Sequence, residues 1–167
     1  MGLWGQVRRR WGLREVKITQ KVQIVFAWRY LVLGVNVVTG ALKWAWIERV
    51  SQTQLIPVVQ RWAPDAVVWD SAPSHKAKKG AELDCARVFL PAYAPELNPP
   101  ERIFEELRRE VEGVVYPSLQ AKVDAVDRIL RQLAADKARV KRLIGWGWIC
   151  DAFAALPASP DSRSQPP

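Results

Sequence analysis

Two short apolar runs constrain this chain most. Residues 66–69 read AVVW and residues 86–90 read ARVFL. Runs of this length, rich in β-branched and aromatic residues and bounded by turn chemistry, read as buried strands. The first ends directly on Asp70. The second leads through a proline-punctuated loop to a helix start carrying Glu101. Two carboxylates delivered from different elements are what a metal-dependent phosphoryl-transfer site needs.

The remaining segments supply a domain around those strands. Residues 22–38 are rich in Val, Ile, Phe, Trp and Tyr and predict a strand. Thr39 and Gly40 then read as a turn, and residues 41–50 as a second strand, with Trp44 and Trp46 on one face. Ser51 is the expected N-cap of a helix over 52–62, with Leu55, Val58, Val59 and Trp62 as its buried stripe. Residues 63–65 break it, and residues 71–81 read as loop passing into a short helix. Asn98, Pro99 and Pro100 form a helix entrance. Ile103, Phe104, Leu107 and Val111 supply the apolar face that follows. Another helix starts near Ser118, carries Val123, Val126, Ile129, Leu130 and Leu133, and continues with a break to about residue 144. The Ser- and Pro-rich residues 158–167 predict a disordered tail. This order gives a mixed α/β domain over residues 1–145, followed by a C-terminal segment over 146–167.

Charge is unevenly placed. The net charge is +8, and residues 1–62 alone carry ten Lys/Arg against Glu15 and Glu48. Residues 63–100 net −1 and residues 101–167 net +1. The basic excess begins with Arg8, Arg9, Arg10 and Arg14, interleaved with Trp4, Trp11 and Trp28. That combination suits a polyanion, with phosphate contacts and base stacking. A second basic group, Lys76, Lys78 and Lys79, follows Asp70. No stretch approaches the roughly 18 apolar residues of a membrane span, and the N-terminus has no signal-peptide core. A cytoplasmic protein is the simplest expectation. With Cys85, Cys150 and His75 as the only Cys and His, a zinc site built from those residues is excluded. Any metal is held by carboxylates, which favours magnesium or manganese.

Each carboxylate has a plainer alternative. Asp70 closes a strand, where functional groups gather in open α/β sheets, but Asp also favours such junctions as a turn residue. Asn98 and Glu101 have the spacing of a capping box. Glu96, in the preceding loop, is a second candidate ligand. His75 either touches substrate phosphate or positions Asp70, or is an ordinary loop histidine.

The phrases WDSAPSH (69–75) and FLPAYAPELNPPERIFEELRREV (89–111) carry a resemblance. They resemble the DDE transposases of the mariner-like superfamily, and especially its bacterial insertion-sequence branch. Asp70 matches the second acid of that family, His75 the motif histidine and Glu101 the third acid. Pro91, Tyr93, Pro95, Leu97, Asn98 and Pro99 match the loop before the third acid. The VNVVTGAL segment (35–42) resembles the second-strand-to-turn region. The resemblance implies a ribonuclease-H-like fold, with a mixed sheet flanked by helices. It implies DNA strand cleavage at transposon ends and transfer to target DNA, with three carboxylates holding two Mg2+ or Mn2+ ions. A homodimer is expected on the same ground, with no membrane and no small-molecule substrate.

The chain departs from that pattern. The 30 residues between Asp70 and Glu101 are a little fewer than is usual, and Ser71 replaces the common Asn. No Asp or Glu precedes Glu15, so the first-strand acid is missing and the sheet is expected to lack its first strand. Either the start codon is placed too late or the reading frame is truncated or decayed. Three readings follow: a transposase catalytic domain active only when complete, a non-catalytic DNA-binding or dimer-forming remnant, and an unrelated α/β binding module in which Glu101 only caps a helix.

Overall fold

The computed structural model describes residues 1–3, 13–15, 17, 19, 21–70, 83–91 and 94–154. At its centre is an antiparallel hairpin of β1 (Tyr30–Val35) and β2 (Leu42–Ile47), with Tyr30 opposite Ile47 and Val35 opposite Leu42. Asn36 builds the turn: its Oδ1 accepts the N–H groups of Val38 at 3.0 Å and Thr39 at 2.8 Å. Gly40 sits at φ +73°, where a Cβ would meet the Lys137 carbonyl oxygen at 2.5 Å. Both the backbone angle and the close approach call for glycine here.

The strand expected over 22–38 is therefore shorter than its composition suggests. Residues 21–29 carry the right residue types but, among the described residues, only 1–3 pair with them. Leu3 donates to the Ala27 carbonyl at 3.0 Å, and Arg29 donates to the Met1 carbonyl at 2.9 Å. Antiparallel backbone groups alternate between the two edges of a strand. Asn36 points its N–H at Ala41, toward β2. Odd-numbered Ala27 and Arg29 thus face the opposite edge, and residues 1–3 lie there. Ile24 and Phe26 stay exposed.

The hairpin is apolar on both faces. Leu31, Leu33 and Val35, with Leu42, Trp44 and Trp46, pack on a helical layer centred on Ile103, Leu107, Val126, Leu130, Leu133, Val140 and Ile144. Val32, on the opposite face by the period of two, joins Leu55, Ile56 and Val59 of α1 (Gln52–Trp62). α1 begins after Ser51 as expected, although the Ser51 side chain does not cap it. Its Oγ lies 2.9 Å from Thr53 Oγ1 instead. α1 ends at Ala63, which has φ 43°.

β3 (Ala66–Trp69) and β4 (Ala86–Phe89) pair in parallel, with Trp69 opposite Phe89. Val67 and Trp69 pack on the α1 cluster. β4 corrects an expectation: it is exposed along its whole length rather than buried. It forms the edge of this pair, and β3 alone brings apolar side chains to α1. Among the described residues the hairpin and the parallel pair are two separate two-stranded sheets. The loop and short helix expected over 71–81 lie outside the described residues.

Among the described residues, four more helices follow: α2 (Pro100–Val111), α3 (Leu119–Ala135), α4 (Lys137–Ile144) and α5 (Gly147–Ala154). Ser118 caps α3 as its position predicts, accepting the Ala121 N–H at 3.0 Å. Asp136 both ends α3 and caps α4, accepting the Arg139 N–H at 2.8 Å. The sequence reading placed no helix over 147–154, yet Ile149 is buried in the main core. No described helix is long and apolar enough to cross a membrane. The result is the mixed α/β arrangement of small sheets and flanking helices expected of a ribonuclease-H-like fold. Both cysteines are free, and burial raises the Cys85 thiol above its ordinary range despite the opposing charge of Arg87.

One polar contact fastens the hairpin to the helices. The indole N–H groups of Trp44 and Trp46 both donate to Asp127 Oδ1 on α3, at 3.0 and 2.8 Å. Hydrogen bonds to a charged acceptor are the stronger kind, and Asp127→Ala leaves two part-buried donors without it. This substitution is expected to cost about 2–3 kcal/mol in a urea titration. A fall in stability below about 0.5 kcal/mol would show that water replaces the carboxylate.

Candidate functional site

Asp70 follows the last residue of β3. Leu90, the residue after β4, donates its N–H to the Trp69 carbonyl at 2.7 Å. Because the strands are parallel, both carboxyl ends lie at one edge of the pair. The Asp70 side of that edge leads into residues 71–82, and the Leu90 side leads toward α2. Crevices outside such edges are where open α/β folds carry ligands. Asp70 is exposed there.

Glu101 lies in the first turn of α2, where the helix dipole favours an acid. The capping-box alternative is not what forms. The helix starts at Pro100 with Pro99 at the cap position and no side-chain capping bond. The Glu101 N–H goes to the Asn98 backbone carbonyl at 3.0 Å. Its carboxylate turns along the helix instead, and Oε2 accepts from Arg108 Nη2 at 3.0 Å. Both side chains are over one-third exposed, so solvent screens the pair and it contributes little to stability.

The backbone under Glu101 is firmly held. Ile103 and Leu107 have no exposed surface. Arg102 reaches Glu105 Oε2 at 2.9 Å and lays its guanidinium over the Trp146 ring, 4.5 Å from the centroid. That cation–π contact ties the first turn of α2 to the start of α5. Sequence reading missed both Arg108 and the Arg102–Trp146 contact. Arg108 was legible in principle, since seven residues are two helical turns and return to the same face. Trp146 was not, because nothing local links it to Arg102.

The other candidates divide. Glu96 sits exposed in a 3-10 turn over Pro95–Leu97. Arg14 is exposed. Arg8, Arg9, Arg10, His75, Lys76, Lys78 and Lys79 all lie outside the described residues. No group of three His, Cys, Asp or Glu side chains is gathered among the described residues. The donor chemistry of Asp70 and Glu101 suits a hard divalent cation, but the described residues do not assemble a full ligand set.

A model of the DDE superfamily endonuclease family matches residues 29–121, more than half of the chain. The chain belongs to this family. The matched segment spans the hairpin, α1, the parallel pair, Asp70, α2 and Glu101. No curated protein and no solved structure matches the chain. A transposase-like nuclease acting on DNA is the function that the family carries.

Beside the later turns of α2, this endonuclease domain has a cavity of about 330 Å3 lined by Met1, Trp28, Tyr30, Phe104, Arg108 and Lys122 among others. Lys122 is buried and donates to the Gly2 carbonyl at 2.7 Å. Burial pushes its amine below the ordinary lysine range. The unfolded chain then holds more protons between the lowered value and the ordinary one, so stability rises with pH across that window. Below the window both states are protonated and the full cost of burying the charge remains. Urea midpoints measured from pH 7.5 to 10 are expected to rise more steeply for the native chain than for Lys122→Met. Parallel profiles would count against a buried ammonium.

Proposed function

We propose that this chain is a transposase catalytic domain of the mariner-like superfamily, from its bacterial insertion-sequence branch. Asp70 and Glu101 serve as the second and third acids of its metal site, and His75 serves with them in catalysis. The domain cuts DNA at transposon ends and transfers the cut strand to target DNA in the bacterial cytoplasm. The observation that carries this reading is a coincidence. The two acids of the WDSAPSH and LPAYAPELNPPE phrases follow the two strands of one parallel pair, within the segment matched by the DDE family.

Asp70 and Glu101 would hold Mg2+ or Mn2+, which supplies Lewis acidity at the scissile phosphate. The protein's own part is positioning. Asp70 is accessible at the strand end. Glu101 is fixed through α2, and Arg108 keeps its carboxylate paired until a cation competes for it. Arg8, Arg9, Arg10, Arg14, Lys76, Lys78 and Lys79 bind the DNA backbone. One structural observation favours a second reading: no group of three ligating side chains is gathered among the described residues. Under it the chain binds DNA or forms a dimer without cutting.

The test is nicking of supercoiled DNA in 5 mM-scale Mg2+ or Mn2+, on the order of ordinary working concentrations for such weakly held ions, with duplex binding measured in parallel. Metal-dependent nicking that disappears in Asp70→Asn and in Glu101→Gln supports the catalytic reading. Binding without nicking supports the second, and neither activity overturns both. Arg108→Ala is expected to change stability by less than about 1 kcal/mol and to tighten Mn2+ binding severalfold, read by paramagnetic broadening of nearby resonances. Unchanged Mn2+ affinity would show that Arg108 does not compete for Glu101.

A further inference from the structure

The last third of the chain nets only +1, but its charges are unevenly placed. α2 is mixed, with Glu101, Glu105, Glu106 and Glu110 against Arg102, Arg108 and Arg109. Residues 128–148 hold Arg128, Arg131, Lys137, Arg139, Lys141 and Arg142 against Asp136 alone. Four of those cations are on the eight-residue helix α4. Val140 and Ile144 turn its buried face into the core. Lys137, Lys141 and Arg142 are exposed, Lys137 and Lys141 bordering the buried stripe on the flank beside the hairpin turn and Arg142 lying further round the helix.

Local structure does not account for all of them. Lys141 and Arg142 lie in the last turn, where cations offset the helix dipole. Arg139 pairs with Glu106 at 3.1 Å. Lys137 is different. It occupies the first position of α4, where the dipole disfavours a cation. Among the described residues Lys137, Lys141 and Arg142 have no acidic partner. The helix is also held in place. Asp136 caps it, and the hairpin turn packs so closely that a Cβ on Gly40 would lie 3.1 Å from Lys141 Cγ. Lys137 and Lys141, four residues apart, project along one flank about 6 Å apart along the axis. Exposed cations without an acidic partner, carried on a fixed helix, complement a phosphate backbone, which takes point-charge contacts without sequence readout.

We propose that α4, through its exposed Lys137, Lys141 and Arg142, is a docking surface for the phosphate backbone of duplex DNA. In sequence these residues are distinct from the basic residues 8–14 and 76–79. The inference rests on the reading of this domain as one that acts on DNA, but it does not depend on metal chemistry.

The experiment measures binding of the full chain to a fluorescent duplex across 50–300 mM-scale salt, roughly the range over which counterion release is read. It compares the native chain with Lys137→Gln/Lys141→Gln/Arg142→Gln and with Lys137→Arg/Lys141→Arg/Arg142→Lys. The glutamine variant is expected to lose roughly tenfold in affinity at low salt, and its salt slope to shrink by about 3, near one per phosphate contact. The charge-conserving variant is expected to keep the native slope. Matching circular dichroism and melting curves for all three chains exclude unfolding as the cause. Unchanged affinity and slope in the folded glutamine variant overturn the proposal. So does a defect confined to vesicles of anionic lipid, or a native chain that does not bind duplex at low salt. Asp70→Asn and Glu101→Gln serve as the independent arm. They abolish nicking if the metal reading holds and leave the α4 contribution to the slope intact, so either idea fails without the other.

Discussion

The seam between α2, α3 and the inner face of the hairpin carries the rest of the molecule. Ile103 and Leu107 from α2 meet Val126, Leu130 and Leu133 from α3, all essentially without exposed surface. Burying a side chain of this kind contributes on the order of 1.5–3 kcal/mol. The seam therefore sets the position of α2 before any polar group acts. Glu101 is only two residues from Ile103, so its place follows from the packing. The hairpin lies over the same seam, and Asp127 then fixes it there by accepting two indole N–H groups.

The hairpin also joins two cores. Its inner face completes the helical layer, and Val32 on its other face reaches the α1 cluster that supports β3. This couples the two acids mechanically through apolar contacts. Asp70 depends on β3 and the α1 cluster, while Glu101 depends on the main seam. Both clusters share β1. The polar pairs around the candidate site are exposed and add little stability. Their part is to orient side chains on a backbone that packing has already placed.

Charge follows a similar division of labour. Averaged along the sequence, the last third looks neutral. In the folded chain, α2 carries acids and arginines that pair with one another while cations gather on α4, with Arg139 and Glu106 bridging the two helices. An average over residues conceals this concentration of cations, because electrostatic potential depends on position in space. The same point applies to β4. Its apolar sequence suggested burial, but whether a strand is covered depends on its neighbours.

Local rules made much of the fold legible. The three-and-four spacing of Leu55, Val58 and Val59, and of Val123, Val126, Leu130 and Leu133, located helices whose bounds the structure closely matches. Thr39 and Gly40 marked the hairpin turn, and Ser118 marked a cap that forms. The phrases around Asp70 and Glu101 identified the family, because they are long enough to be distinctive. These features share a cause: each is fixed by residues within a few positions of one another. Only the tertiary structure decided that pairing with β2 stops at Tyr30, that Glu101 pairs with Arg108 instead of capping α2, that Asp127 binds two tryptophans and that Trp146 anchors Arg102. These outcomes rest on which groups meet across the fold and how much water they lose there, and the local pattern of a chain does not specify that.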